Sequence, residues 1–206
     1  MTAGVLALEQ EIIDLLTRRG VRHDAAVDDF SRLDFCIYSE QRGTFAFDAK
    51  EKAQPVKLAN WPAVEIPEEH LFILDDLAAR KTLQFAPNSG LVVRDNLRQR
   101  YFFFDVVRLF LMPRLRVNRP IALNRLELKG KWLVDLRNGV DCATLWEVFE
   151  QIAAYTDGQE HIFSGQKACY GDFVGETIPL AGETRRPEHW LHDRQTTRGY
   201  RTDEGK

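Results

Sequence analysis

Apolar residues Val5, Leu8, Ile12, Leu15 and Leu16 recur at spacings of three and four, with Leu6 and Ile13 widening the stripe. This predicts an amphipathic helix over residues 3–19, ended by Gly20. After a polar run, Leu33-Asp34-Phe35-Cys36-Ile37-Tyr38 alternates as a half-buried strand does, Ser39-Glu40-Gln41-Arg42-Gly43 is a hairpin loop, and Thr44-Phe45-Ala46-Phe47-Asp48-Ala49-Lys50 is the returning strand. The three prolines of residues 53–67 mark a connection, and Pro67-Glu68-Glu69 reads as the acidic first turn of a helix carrying Leu71, Phe72, Leu74, Leu77 and Ala78 and ending near Leu83. Leu91-Val92-Val93-Arg94 predicts a short strand, and the apolar run from Tyr101 to Met112 a longer one covered on both faces. Residues 121–129 and 131–137 read as a hairpin turning at Gly130, and Asp141 as the cap of a helix through Leu145, Val148, Phe149, Ile152 and Tyr155. From Gly182 onward the apolar density is too low for a core, so residues 181–206 are expected to form a flexible tail.

A chain of 206 residues with 44% hydrophobic, 11% aromatic and 29% charged residues can bury a proper core, which excludes a disordered or fibrous protein. The predicted fold class is mixed α/β, a central sheet flanked by helices. We expect a core over residues 1–115, a C-terminal hairpin and helix over 116–180 packed on it, and the tail beyond. No run approaches the roughly 18 apolar residues of a membrane span, so the expectation is a soluble, cytoplasmic protein without a membrane partner. Cys36, Cys142 and Cys169 are far apart and show no CxxC spacing, which suggests neither a disulfide framework nor a cysteine zinc site.

The net charge of -3 argues against nucleic acid as a partner until its distribution is considered. Residues 91–131 hold 10 Lys+Arg against 3 Asp+Glu, between two acidic segments. Local positive charge is what a phosphate-contacting surface needs, and Arg94, Arg98, Arg100, Arg114 and Arg116 are the candidates to contact nucleic acid. An arginine-rich solvated face accounts for the same composition. Tyr101 and Phe102 could stack on bases if exposed, but the unbroken apolar run around them points to core filling.

The hairpin carries the strongest chemistry. Alternation puts Asp34, Cys36 and Tyr38 of one strand on a common face with Thr44, Ala46, Asp48 and Lys50 of the other, and turns Phe35, Ile37, Phe45, Phe47 and Ala49 the opposite way. Two carboxylates and a lysine therefore converge. Carboxylate oxygens suit Mg²⁺ or Mn²⁺, which can polarise a phosphoryl oxygen and acidify a water, and a neighbouring lysine can stabilise charge on phosphorus. A structural alternative is that Lys50 is the ion-pair partner of the two acids.

The order of these parts resembles the PD-(D/E)xK nuclease superfamily, the restriction-endonuclease-like fold, and most of all its resolvase-like bacterial members. The matching stretches are Glu9-Gln10-Glu11-Ile12-Ile13-Asp14-Leu15-Leu16 through Gly20, Leu33-Asp34-Phe35-Cys36-Ile37, and Phe45-Ala46-Phe47-Asp48-Ala49-Lys50, with Phe103-Phe104-Asp105-Val106-Val107 resembling a late core strand. The likeness spans residues 5–112. Leu33 stands where the nominal proline would be, and Asp48 where Glu is commoner. The resemblance implies Asp34 and Asp48 as ligands of Mg²⁺ or Mn²⁺, Lys50 as the catalytic lysine, and an acid of the first helix completing the metal site, Glu11 in preference to Glu9.

The function expected is a divalent-metal-dependent endonuclease hydrolysing DNA phosphodiester bonds. The alternative is a catalytically inactive nuclease-fold protein that binds DNA or protein. Self-association into a homodimer through the 121–137 hairpin is compatible with either. Glu51 and Lys52 read as solvent-facing, His189-x-x-His192 with Asp193 as a solvated cluster rather than a metal site, and Ser164-Gly165-Gln166-Lys167 lacks the glycine-rich turn of a P-loop.

Overall fold

The computed structural model describes residues 7–26, 32–62, 64–121, 124–163, 178–180 and 183–185, with side chains described up to residue 159 except at 120–127. The chain divides into two compact units, Met1–Glu160 and His161–Lys206. The described part of the second is an antiparallel pair, Ile178–Leu180 with Glu183–Arg185. The His189 cluster and the Ser164–Lys167 stretch lie outside the described residues.

In the first unit the chain runs through helix α1 (Leu8–Arg18) and strands β1 (His23–Ala25), β2 (Phe35–Ser39), β3 (Gly43–Lys52) and β4 (Leu71–Asp75) to helix α2 (Asp76–Gln84). Strands β5 (Ser89–Asp95) and β6 (Arg100–Asp105), helix α3 (Val106–Leu111), strands β7 (Leu115–Ile121), β8 (Asn124–Asp135) and β9 (Val140–Cys142), and helix α4 (Leu145–Phe163) follow. Six strands form a central sheet in the order β1-β2-β3-β5-β6-β9, and β4-β8-β7 form a second sheet. The β3–β5 pairing is parallel and its neighbours in the central sheet are antiparallel. The fold is mixed α/β, a central mixed sheet flanked by helices.

Two apolar layers cover that sheet. On one face α1 and α4 bring Leu8, Ile12, Leu16, Val148, Phe149 and Ile152 against Phe35, Phe47, Ala49, Val92 and Phe103. On the other, α2, α3 and the second sheet bring Ala78, Ala79, Leu109, Trp132 and Val134 against Leu91, Val93, Phe102 and Phe104. Covered on both sides, β5 is buried from end to end, which is why its sequence does not alternate.

Asp141 does not cap α4: it lies in β9, and the Glu147 N–H donates to Thr144 Oγ1 at 3.2 Å instead. Three further predicted elements differ. Residues 71–75 form strand β4 rather than the first turns of a helix, because Leu71 through Asp75 pair with Lys131 through Asp135 of β8 and bury apolar side chains on both faces. The helix begins only at Asp76. The strand predicted to run from Tyr101 to Met112 stops at Asp105, whose carboxylate accepts a hydrogen bond from the Arg108 backbone N–H at 2.7 Å and caps α3. This cap overrides the β-branched pair Val106-Val107. Gly130 is no turn: β8 runs through it opposite Asn118 of β7. A Cβ there would lie 2.9 Å from the Asp76 Cβ, so glycine serves close approach of α2.

Candidate active site

The site is built on the β2–β3 hairpin, whose register of Phe35 with Phe47 and Ser39 with Gly43 puts Asp34 opposite Asp48. Gly43, at φ +74°, makes the tight reversal that holds this register. Asp34 and Asp48 bind each other's strands: the Asp34 backbone N–H donates to Asp48 Oδ1 at 3.3 Å, and the Ala49 N–H to Asp34 Oδ2 at 3.0 Å. Lys50 Nζ donates to Asp34 Oδ2 at 2.8 Å and to the Ala49 carbonyl at 3.0 Å, and stands 3.3 Å from Asp48 Oδ2. The structure thus brings Asp34, Asp48 and Lys50 together.

Burial grades the three groups. Asp48 is fully buried and Asp34 is 8% exposed, while the Lys50 side chain keeps 34% of its surface open and forms the solvent side of the cluster. Burial pushes the Asp48 carboxyl above its usual range, the Asp34 charge adds to this, and Lys50 and Lys81 oppose it. For Lys50 burial acts downward, but the Asp48 and Asp34 carboxylates outweigh it and hold the ammonium above an ordinary lysine. Asp48 Oδ2 is buried and accepts no hydrogen bond, although Lys50 lies close enough to pair with it electrostatically.

Lys81 of α2 belongs to the site and has no signature in the local sequence. Its Nζ lies 3.7 Å from Asp48 Oδ1 and donates to the Arg32 carbonyl at 2.8 Å. It arrives there because the chain leaving β3 must cross back before entering β5 in parallel, and α2 lies on that return path.

Glu11 does not join this cluster. It lies toward the α1 face, where Arg94 and Tyr101 share the side of the sheet occupied by Val92 and Phe103, opposite to the side of Asp48 and Leu91. Its Oε2 accepts from Arg94 at 2.6 Å and its Oε1 from the Tyr101 hydroxyl at 2.5 Å. Burial and the bond to Glu11 push the Tyr101 phenol up to about 12. Glu9, the alternate on the same helix, is half-exposed.

The arginines are not gathered into one strip. Arg94 is buried and pairs with Glu11 and Glu51; Arg98 pairs with Asp95 at 2.8 Å and also hydrogen-bonds His70; Arg100 pairs with Asp141 at 2.8 Å. Arg114 lies 4.3 Å over the Trp132 ring, and Arg116 pairs with Asp76 at 2.7 Å. Phe102 is buried and Tyr101 half-buried. Lys52, expected to face solvent, is 3% exposed, with its ammonium on the Glu68 and Glu69 carbonyls and its pKa lowered by burial. Cys36 and Cys142 are free thiols, and Cys169 lies outside the described residues.

Among the described residues no group of three or more His, Cys, Asp or Glu side chains converges as a metal site, and no helix is long and apolar enough to cross a membrane. The pair Asp34 and Asp48 still fits a hard dication: both donors are carboxylate oxygens, and the buried Asp48 Oδ2 is bound by no backbone donor, only paired with the Lys50 ammonium at 3.3 Å. Mg²⁺ is commonly held by one or two carboxylates with water and phosphate oxygens completing its shell.

No protein-family model matches the sequence, and no curated protein does. Among solved structures the chain is similar to a Holliday junction resolvase, Hjc, of the archaeal hyperthermophile Archaeoglobus fulgidus. The identity is 13%, the match covers 65% of this chain and 96% of that one, and the TM-score is 0.37.

Proposed function

We propose that the protein is a divalent-metal-dependent nuclease that hydrolyses DNA phosphodiester bonds in the cytoplasm. The observation that supports this reading is the meeting of Asp34, Asp48 and Lys50 on one face of a β-hairpin, with Lys50 Nζ within 3.3 Å of both acids and open to solvent on one side. Asp34 and Asp48 would hold Mg²⁺ or Mn²⁺, which when bound supplies Lewis-acid charge at a phosphoryl oxygen and acidifies a water. Lys50 presents its ammonium to the phosphate as negative charge develops there, and the Asp34 and Ala49 oxygens fix its direction beforehand. Of the five candidate arginines, Arg100 and Arg116 are paired with a carboxylate and have side chains 38% and 56% exposed, so they could exchange that partner for backbone phosphate. The acid-x-Lys strand paired with an Asp-led strand also agrees with the resemblance to the PD-(D/E)xK nucleases.

A second reading, a catalytically inactive nuclease-fold module that binds DNA or protein, is favoured by Glu11, which is committed to Arg94 and Tyr101 instead of the carboxylate pair. The test is incubation with linear, circular and branched DNA in Mg²⁺ or Mn²⁺, repeated with Asp48→Ala and Lys50→Ala. Cleavage lost in both variants is the expected result. Cleavage indifferent to both substitutions overturns the assignment, and DNA binding without cleavage in all three proteins selects the second reading.

A further inference from the structure

We propose that Lys81 is a resident counterion of the candidate metal site: it competes with a divalent cation for Asp48 and keeps the affinity for free metal low. The inference rests on reading Asp34 and Asp48 as the metal ligands.

The charges are drawn from three elements. Asp34 opens the hairpin, Asp48 and Lys50 stand on β3, and Lys81 reaches in from α2. Two carboxylates face two ammoniums, so the cluster as a whole carries no net charge. A dication entering it is attracted by two acids and repelled by two amines at similar distances, and the balance is far less favourable than for a bare carboxylate pair.

The two lysines differ in how they are held. Lys50 is one-third exposed and forms the solvent side of the cluster, where substrate would meet it. Both ammoniums are tethered to a backbone carbonyl, Lys50 to Ala49 and Lys81 to Arg32, but Lys81 is only 14% exposed and stands beside the fully buried Asp48. Its burial makes it the standing competitor. Asp48 is fully buried, so little water screens the contact. Phosphate entering beside the cation would restore the missing negative charge, which couples binding of metal to binding of the nucleic-acid backbone.

The experiment titrates the full chain with Mn²⁺ and follows loss of the free-ion electron paramagnetic resonance signal, in the absence of DNA. Lys81→Gln keeps a donor for the Arg32 carbonyl and removes the charge, and is expected to bind Mn²⁺ about tenfold more tightly than the parent. Lys81→Arg, which keeps the charge, is expected to match the parent. The gain should vanish when Asp48→Asn is added to Lys81→Gln. Lys81→Met repeats the measurement without the amide, and cooperative thermal unfolding identifies the folded variants. A merely structural role for Lys81 would lower stability without tightening Mn²⁺. Equal affinity in parent and neutral variants overturns the counterion role and leaves the metal site standing, whereas a gain that survives Asp48→Asn overturns both the counterion role and Asp48 as a metal ligand. No Mn²⁺ binding by the parent or any variant at millimolar metal overturns both.

Discussion

The two faces of the central sheet each hold a cluster of acids and bases, and they are built differently. Toward α1, a single guanidinium, Arg94, lies between Glu11 and Glu51; Tyr101 closes on Glu11, and the Leu8 backbone N–H at the start of α1 donates to Glu51 Oε1 at 2.5 Å. There the arginine's planar fork matches two carboxylates, and the cluster ties helix to sheet. Toward α2, compact ammoniums meet aspartates, the Asp48 carboxyl is pushed up by burial, and one of its oxygens accepts no hydrogen bond. Similar charge ties a helix to the sheet on one side and, on the other, surrounds a buried carboxylate with ammoniums, one of them open to solvent. Groups of the second kind are those a substrate or ion can reach.

Substitutions on the two faces should differ in what they cost. Lys50→Ala should lower the rate of DNA cleavage by about 10²–10⁴-fold, measured in single turnover on folded protein, and should also lower the unfolding midpoint, because the buried Asp34 and Asp48 lose a counterion. Arg94→Met should cost stability alone. It leaves Glu11 and Glu51 uncompensated beside a buried position and should cost about 3 kcal/mol in urea unfolding, while Mn²⁺ affinity stays at the parental value. An Arg94→Met protein of unchanged stability would remove the structural assignment of that face. Tyr101→Phe deletes one hydrogen bond to Glu11 and should cost about 1 kcal/mol.

The smallest effect is one of slope. The folded protein holds the proton on Asp48 more tightly than the unfolded chain, because burial raises this carboxyl. The corresponding stability is complete below the ordinary aspartate range and is lost as pH rises through the raised value. Asp48→Asn should therefore flatten metal-free stability across that window, whereas a mutant with the parental pH slope would show that Asp48 ionises in the folded protein as in the unfolded one.

The hairpin was legible in sequence because Phe35, Phe47 and Ala49 alternate with Asp34, Asp48 and Lys50 at a period only a strand provides. Leading helix α1 and helix α4 were legible for the corresponding reason at helical spacing. What the chain does not announce locally depends on distant partners. The stretch Leu71-Phe72-Ile73-Leu74 has helical-looking neighbours and becomes a strand only because β8 comes to pair with it. The partners of Glu11 are illegible for a related reason: its position on α1 is readable, but not that Arg94 and Tyr101 on β5 and β6 would claim it. Lys81 was invisible because its role follows from the direction in which β5 runs.

That direction has a practical side. The return segment between β3 and β5 is anchored at its start by Lys52 on the Glu68 and Glu69 carbonyls, and its far part is the helix that touches Asp48. The intervening residues 53–62 include the half-exposed Trp61, which Arg119 overlies at 4.3 Å. Lengthening such a segment costs only about 0.6 kcal/mol for each doubling. A protein engineer could lengthen the chain there and leave the two apolar layers and their register untouched.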